Sequence, residues 1–379
     1  MKQSKLSLIL LLLLSFLFIQ WQNEKGFTIT GHVTGFKDGT RVSLQLVENT
    51  EYILHAKIKN DAFTFKGTTP GNEPEKYILK IDNGEDLPSD YCSLFIGNEE
   101  VIIKADKKDF PYYVSIKGSK HQDDANKLNN LLAKHIEELD KISNDYFALS
   151  KEVRATDSIK ELYNGKNGKF TEIDNQIEFI IMDFIRKNYN SYPALDYFVT
   201  LREKFDIKEV EQLYGKMDIQ VKNGRYGITI KEYIQAQKEK EGNVVYNFEA
   251  QDKNGKMHKM HDYLNNDKYV LLEFSRPGCS WCKKAIPLLE AMAKEQKSKL
   301  EVVSLTTSKD QKSWKTINDD EKISYARLYD NDGKYSKANI HYGIKVTPTF
   351  ILISPEGKIM KKIEGYDEKL RDSIYPILK

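Results

Sequence analysis

Polar and apolar positions alternate with a period of two over Phe27-Thr-Ile-Thr-Gly-His-Val33 and again over Arg41-Val-Ser-Leu-Gln-Leu46. Side chains of a strand point alternately to its two faces, so each run predicts a strand with one buried face. Similar runs at Tyr52–Ile58, Ala62–Thr68, Tyr77–Ile81, Ser93–Ile96 and Val101–Lys104 predict further strands. Asp38-Gly39, Asn83-Gly84 and Gly97-Asn98 supply turns between them. Short strands at this spacing predict an all-β, antiparallel sandwich or barrel over 27–118.

From 119 to 240 the period lengthens to that of a helix. His121–Ile142 places Leu128, Leu131, Leu132, His135, Ile136 and Leu139 on one face, and Phe170–Asn188 does the same with Ile173, Ile177, Ile180, Ile181 and Phe184. Tyr192-Pro193 is expected to close this helix. Shorter helices are expected near Ala194–Lys204, Ile207–Met217 and Ile228–Lys240. No motif and no repeat stands out in this segment, and its aromatic residues suit helix packing.

Over 243–379 the pattern changes again. Val244–Ala250 predicts a strand, and Tyr269-Val-Leu-Leu-Glu-Phe274 a buried one. Pro277-Gly278 breaks the second, and the residues from Ser280 onward read as a helix. Leu300-Glu-Val-Val-Ser-Leu305 follows as a strand, which completes a βαβ unit on a parallel sheet. Val346–Ile353, a turn at Pro355-Glu-Gly357, and Lys358–Ile363 predict an antiparallel pair, and Tyr366–Leu378 a closing helix. The fold class expected is therefore multidomain: an N-terminal all-β domain, a helical middle segment and a C-terminal α/β domain.

The first residues stand outside this scheme. Two lysines precede an almost wholly apolar run from Leu6 to Ile19. That is the pattern of a signal peptide over 1–22, or of an uncleaved anchor, since no Ala-x-Ala-like site follows. No cysteine follows the run either, which removes a lipoprotein. The rest of the chain is expected in the periplasm or cell envelope, where disulfide chemistry is permitted. A net charge of +2 on 379 residues, with lysine and glutamate interspersed, gives no basic stripe, and no nucleic-acid partner is expected.

Chemistry is concentrated at Cys279-Ser280-Trp281-Cys282. The chain has three cysteines, and two of them are here. They are too few for a structural zinc site or an iron–sulfur cluster, and Lys283 stands where a c-type haem site needs histidine. His258-Lys259-Met260-His261 lacks carboxylate companions in a strand-and-loop setting. These exclusions leave no metal and no cofactor, and a redox-active pair. Cys279 falls at a helix N-terminus, where backbone N–H groups and the helix dipole favour a thiolate, and Arg276, Lys283 and Lys284 add positive charge. Cys92, in the strand-like Tyr91–Ile96, suits a buried core position. His341 suits a surface position close before the proline-led strand.

A strand-to-helix Cys-x-x-Cys, followed by Thr347-Pro348-Thr349 opening a strand, resembles the thioredoxin-like fold. Over 243–379 it is similar to the envelope thiol–disulfide oxidoreductases of the TlpA type, as are Asp330–Gly333 and Tyr342-Gly343-Ile344. The resemblance implies that Cys279 is the exposed attacking thiol and Cys282 the buried resolving one. It implies that Pro348 is a cis-proline facing the pair and that Glu273 is a buried carboxylate beneath it. It implies that Pro287 kinks the active-site helix. Thr347 and Trp281 are then the candidate substrate contacts. The family usually shows Trp-Cys-x-Pro-Cys; here Gly278 precedes the pair and Ser280-Trp281 lies within it, which leaves the direction of exchange open. More weakly, 27–118 resembles a β-domain of unknown function fused to such domains.

The expected function is thiol–disulfide exchange with envelope proteins, first as a reductant fed by a membrane electron donor. The alternatives are a disulfide isomerase of the same fold, whose large N-terminal extension would serve substrate binding or a homodimer; a peroxide-reducing enzyme, which Ser275-Arg-Pro-Gly fits poorly; and a non-catalytic binding module with a structural Cys279–Cys282 bond.

Overall fold

The computed structural model describes residues 26–71, 73–82, 90–111, 113–239, 245–264, 267–320 and 323–378. Residues 1–22, expected to be a signal peptide or an anchor, lie outside them. Among the described residues no helix is long and apolar enough to cross a membrane. Contacts divide the chain into two compact units, the first reaching to Ile180 and the second built chiefly from Ile181–Asn190 and Ala194–Lys379.

The first unit holds the alternating strands. They are β1 (Phe27–Thr34), β2 (Arg41–Leu46), β3 (Asn49–Lys57), β4 (Ala62–Gly67), β5 (Glu75–Ile81), β6 (Asp90–Ile96), β7 (Glu100–Asp106) and β8 (Ser115–Lys117). They form two four-stranded sheets, ordered β4-β1-β7-β8 and β3-β2-β5-β6. Their inward residues, among them Ile29, Leu44, Phe65, Tyr77, Leu79, Leu94 and Ile103, make one core, as sandwich packing requires. The expected antiparallel arrangement fails at one place: β1 and β7 run parallel. They are far apart in sequence, so no tight hairpin forces them antiparallel. Cys92 is a free, buried member of this core.

Helix α1 (Lys120–Ala148) follows, longer than its predicted span. Ser119 caps it by accepting from the Gln122 N–H, and Gln122, fully buried, accepts from the Phe95 N–H at 2.7 Å. Two short helices, α2 (Lys151–Arg154) and α3 (Asp157–Asn164), precede α4 (Lys169–Lys187). Then come α5 (Tyr192–Leu201), α6 (Ile207–Lys216), α7 (Ile219–Asn223) and α8 (Arg225–Glu239). Tyr192-Pro193 thus opens a helix rather than closing one. Proline is well placed in a first turn, where its missing N–H would be unsatisfied anyway.

The C-terminal sheet has seven strands in the order β10-β9-β13-β12-β11-β14-β15. These are β9 (Glu249–Gln251), β10 (Met257–Lys259), β11 (Tyr269–Ser275), β12 (Leu300–Thr307), β13 (Ala326–Asp330), β14 (Thr349–Ile353) and β15 (Ile359–Glu364). The alternation predicted for Val244–Ala250 yields pairing only from Glu249. Val245 and Phe248 are buried in the core without a ladder, and Val244 lies outside the described residues. Strand β11 is central, parallel to β12 and antiparallel to β14. Helices α9 (Ser280–Glu295) and α10 (Gln311–Asp320) make the parallel crossovers, and α11 (Lys337–His341) and α12 (Leu370–Ile374) follow. Alternation along the strands divides the apolar material between two faces. Leu271, Val302 and Leu352 pack with Ala285, Leu289 and Met292 of α9, whereas Leu272, Val303 and Ile351 pack with Ala338 and Tyr342.

Candidate active site

Strand β11 is buried from Val270 to Ser275 and paired on both edges, which makes its end a fixed point. Gly278 then takes φ +75°, a conformation side chains disfavour, and the chain turns into α9. Cys279 is the N-cap of that helix, and its Sγ accepts from the Cys282 N–H at 3.1 Å. The two cysteines are joined as a disulfide with Cα atoms 5.2 Å apart. Cys279 is partly exposed, whereas Cys282 is buried. A helix N-terminus aimed at the outer sulfur favours negative charge there whenever the bond is opened.

A second loop closes on the pair. The Thr347–Pro348 peptide bond is cis, and the carbonyl oxygen of Thr347 lies 3.5 Å from Cys279 Sγ. The Thr347 hydroxyl donates to the same sulfur at 3.7 Å. Pro348 is held from behind, its carbonyl accepting from the Gly365 N–H at 2.8 Å.

Beneath the cysteines lies a row of polar side chains set by strand register. Glu273 on β11 is opposite Ser304 on β12, and Ser304 is opposite Arg327 on β13. All three share the sheet face that packs under α9, because each is two residues from an apolar member of that core: Leu271, Val302 and Tyr325. Glu273 is 2% exposed, and its Oε1 has no hydrogen-bond partner. Burial pushes its pKa up to about 7, while the Ser304 hydroxyl and the Arg327 charge pull it down. A carboxyl of that affinity can hold or release a proton near neutrality. A cavity of about 310 Å³ connects the row with the cysteines, lined by Glu273, Arg327, Cys279, Cys282, Thr306 and Trp314. Trp314 is buried and stacks on Tyr329 with ring centroids 4.9 Å apart.

Comparison with known proteins bears on the family. The model of the AhpC/TSA family matches residues 242–362, and that of a domain of unknown function, DUF4369, matches 27–125. A relative, the thiol–disulfide oxidoreductase ResA of Bacillus subtilis, is 30% identical over 142 residues, which is 37% of this chain and 76% of that protein. This chain belongs to the thiol–disulfide oxidoreductase family. A second member, ResA of Bacillus cereus, is 24% identical over 46% of this chain and 98% of its own length. Among solved structures, the thioredoxin domain of a Bacteroides vulgatus thiol–disulfide oxidoreductase aligns with 36% of this chain and 96% of itself, at 25% identity and a TM-score of 0.33. The C-terminal domain of this oxidoreductase is thioredoxin-like, and the chain is an enzyme of that class.

The family's site residues expected from sequence are brought together in part. Cys279 is bonded to Cys282 and meets Thr347, which Pro348 follows through the cis bond, and Glu273 shares a cavity with both cysteines. Pro287 lies inside α9. Trp281 is 53% exposed beside the pair, stacked on Tyr366 at 5.7 Å with the Lys284 ammonium 4.3 Å from its ring centre. His341 is not a surface residue, as the sequence suggested. Its side chain is buried, stacked on Tyr246 at 3.8 Å, with Nε2 3.3 Å from Glu232. His258 lies 3.2 Å from Asp252, and no group of three His, Cys, Asp or Glu converges among the described residues. Sequence reasoning missed Ser304, Arg327 and Trp314. A signal for Arg327 did exist: Arg327 and Tyr329 flank the apolar Leu328, but the strand carrying them is short and mixed in character.

Proposed function

We propose that the protein is an exported enzyme that reduces disulfides of envelope proteins through Cys279 and Cys282. The observation that carries this reading is the placement of the pair: a partly exposed sulfur capping a helix beside a cis-proline, and a buried one sharing a cavity with Glu273. In the reduced enzyme the Cys279 thiolate attacks one sulfur of a substrate disulfide. A mixed disulfide forms, and the first substrate thiolate leaves and takes up a proton. Cys282 gives its proton to Glu273 and attacks Cys279 Sγ. The mixed disulfide breaks, the second substrate thiolate leaves and is protonated in turn, and the enzyme ends as the Cys279–Cys282 disulfide. Two electrons pass from enzyme to substrate, and a dithiol donor at the membrane restores the reduced pair. Trp281 and the backbone of Thr347 supply the contact surface for the partner chain.

Two lysines before the apolar run Leu6–Ile19, the pattern of a signal peptide or an anchor, support an envelope or periplasmic location. Insulin reduction with a dithiol as donor tests the reaction. Wild type is expected to be active and Cys279→Ser inactive, and equal inactivity of the two sinks the proposal. Direction is read from the potential of the pair: a value near about −270 mV favours a reductant and one near about −120 mV an oxidant.

A further inference from the structure

The helical segment before the thioredoxin-like domain has no role in the exchange described above, yet part of it lies at the active site. Residues 199–204, the end of α5 and the turn after it, line one side of a groove of about 800 Å³. The loop Lys345-Val346-Thr347 lines it as well, and Arg276 is shared between this groove and the cavity that holds the disulfide. All of these residues belong to the second compact unit.

This part of the segment is fixed. Glu203 pairs with Lys345 at 2.8 Å, two residues before Thr347. Arg202 donates to the Val199 carbonyl and lies 5.4 Å from the ring centre of Tyr233 on α8. Helix α8 is in turn bound to α11 by Glu232, which meets Lys337 at 2.7 Å and His341 at 3.3 Å. A chain joined to Cys279 through sulfur must pass Thr347, whose carbonyl is 3.5 Å from that sulfur. An extended strand that pairs with the Thr347 backbone then continues along the groove.

Charge names the occupant. Arg202, Lys204, Arg276, Lys334 and Lys345 line the groove, against Glu203 alone among acids. Two further carboxylates, Asp196 and Glu48, meet Lys334, and positive charge still exceeds negative. Val346, 48% exposed, adds apolar surface.

We propose that residues 199–204 form a second wall of the substrate site, and that the groove seats an extended, acidic stretch of the partner chain beside its reacting cysteine. This rests on the disulfide exchange proposed above, which by itself needs no such wall. The test uses the reduced full chain and four probes. One is 2-hydroxyethyl disulfide. The others are peptides whose single cysteine is capped with 2-nitro-5-thiobenzoate and flanked by aspartates, serines or lysines. Release of the aromatic thiol reports the rate on the peptides, and loss of the enzyme's two free thiols reports it on 2-hydroxyethyl disulfide. The aspartate peptide is expected to react about tenfold faster than the lysine peptide at low salt, a preference that shrinks as salt screens it. Lys204→Glu, an exposed change, should cut that preference to about threefold or less. Lys216→Glu, an exposed change outside the groove, should leave both that preference and the rate on 2-hydroxyethyl disulfide unchanged. Equal rates on the three peptides, or an undiminished preference in Lys204→Glu, overturns the groove. Failure of the wild type on 2-hydroxyethyl disulfide instead overturns the exchange reaction on which the groove rests.

Discussion

Cys92 and Cys279 are the same side chain in opposite surroundings. Cys92 sits on β6, 5% exposed, among the apolar residues of the sandwich core, and burial pushes its thiol up to about 12. Cys279 caps a sixteen-residue helix, is partly exposed, and has the Cys282 N–H directed at its sulfur. In the first place ionisation strands a charge without compensation. In the second the backbone already supplies the compensation. The difference teaches that reactivity in this chain follows from helix termini and access, and that a cysteine count alone says little about it.

The largest test of that contrast is alkylation of the reduced native protein by iodoacetamide at pH 7. With a pKa of about 12, only about one Cys92 in 10⁵ is ionised at that pH. Cys279 should therefore label at least about 10³-fold faster, the thiolate being the reactive form. Comparable labelling of both before denaturant is added breaks the comparison.

Next in size is Glu273→Gln, which keeps the shape of the buried acid and removes its titration. Resolution of the mixed disulfide at pH 7 should slow by up to about 100-fold, so that the intermediate on Cys279 accumulates in a quenched-flow experiment. Stability should move the other way. Burial raises the pKa of Glu273 from 4.5 to about 7, so folding favours its protonated form. That contribution is complete below about pH 4.5 and is lost as pH rises through 7. Above pH 7 the buried carboxylate costs about 3 kcal/mol, which the neutral amide avoids. Urea unfolding of the oxidised protein should show the variant more stable than wild type at pH 8 and equal to it near pH 4.5. A gap that is the same at both values contradicts the burial argument.

A smaller effect is expected from Arg327→Gln. Losing the cation two strands away should raise the proton affinity of Glu273, and the inflection of the exchange rate against pH should move up by about one unit. An unmoved inflection removes Arg327 from the site. The smallest is Cys92→Ala, which should lower stability by about 1 kcal/mol through lost packing and leave the exchange rate within twofold of wild type. A larger change in rate would give Cys92 a part in the chemistry that its position does not suggest.

Much of the site was legible because its signals are local. An apolar run, a Pro-Gly break, a cysteine pair and a helical pattern follow one another over 269–295 and place Cys279 at a helix start without reference to the rest of the chain. Glu273 and Pro348 were legible only through the family pattern. Ser304 and Arg327 were not legible, because what joins them to Glu273 is the register of three strands, and register is a property of pairing. The shortest helices of the middle segment escaped for a different reason: Lys151–Arg154 and Ile219–Asn223 are too short to show a period. Periodicity did mark the apolar faces of 192–239, but it carries no information on which surface they cover.

The order in which the chain is made gives the packing of α8 against α11 a further meaning. During synthesis, Tyr226 and Ile230, both fully buried in the finished protein, emerge about a hundred residues before the α11 region that α8 packs against. Until then α8 has α6 and α7 as native neighbours but lacks the cover that α11 supplies, and the newborn segment is a natural client for chaperones that hold hydrophobic chain. The same delay keeps the wall at 199–204 from closing around an active site that does not yet exist. Truncations that end before Lys337 should therefore be recovered as aggregates or proteolysed fragments rather than as a folded helical domain.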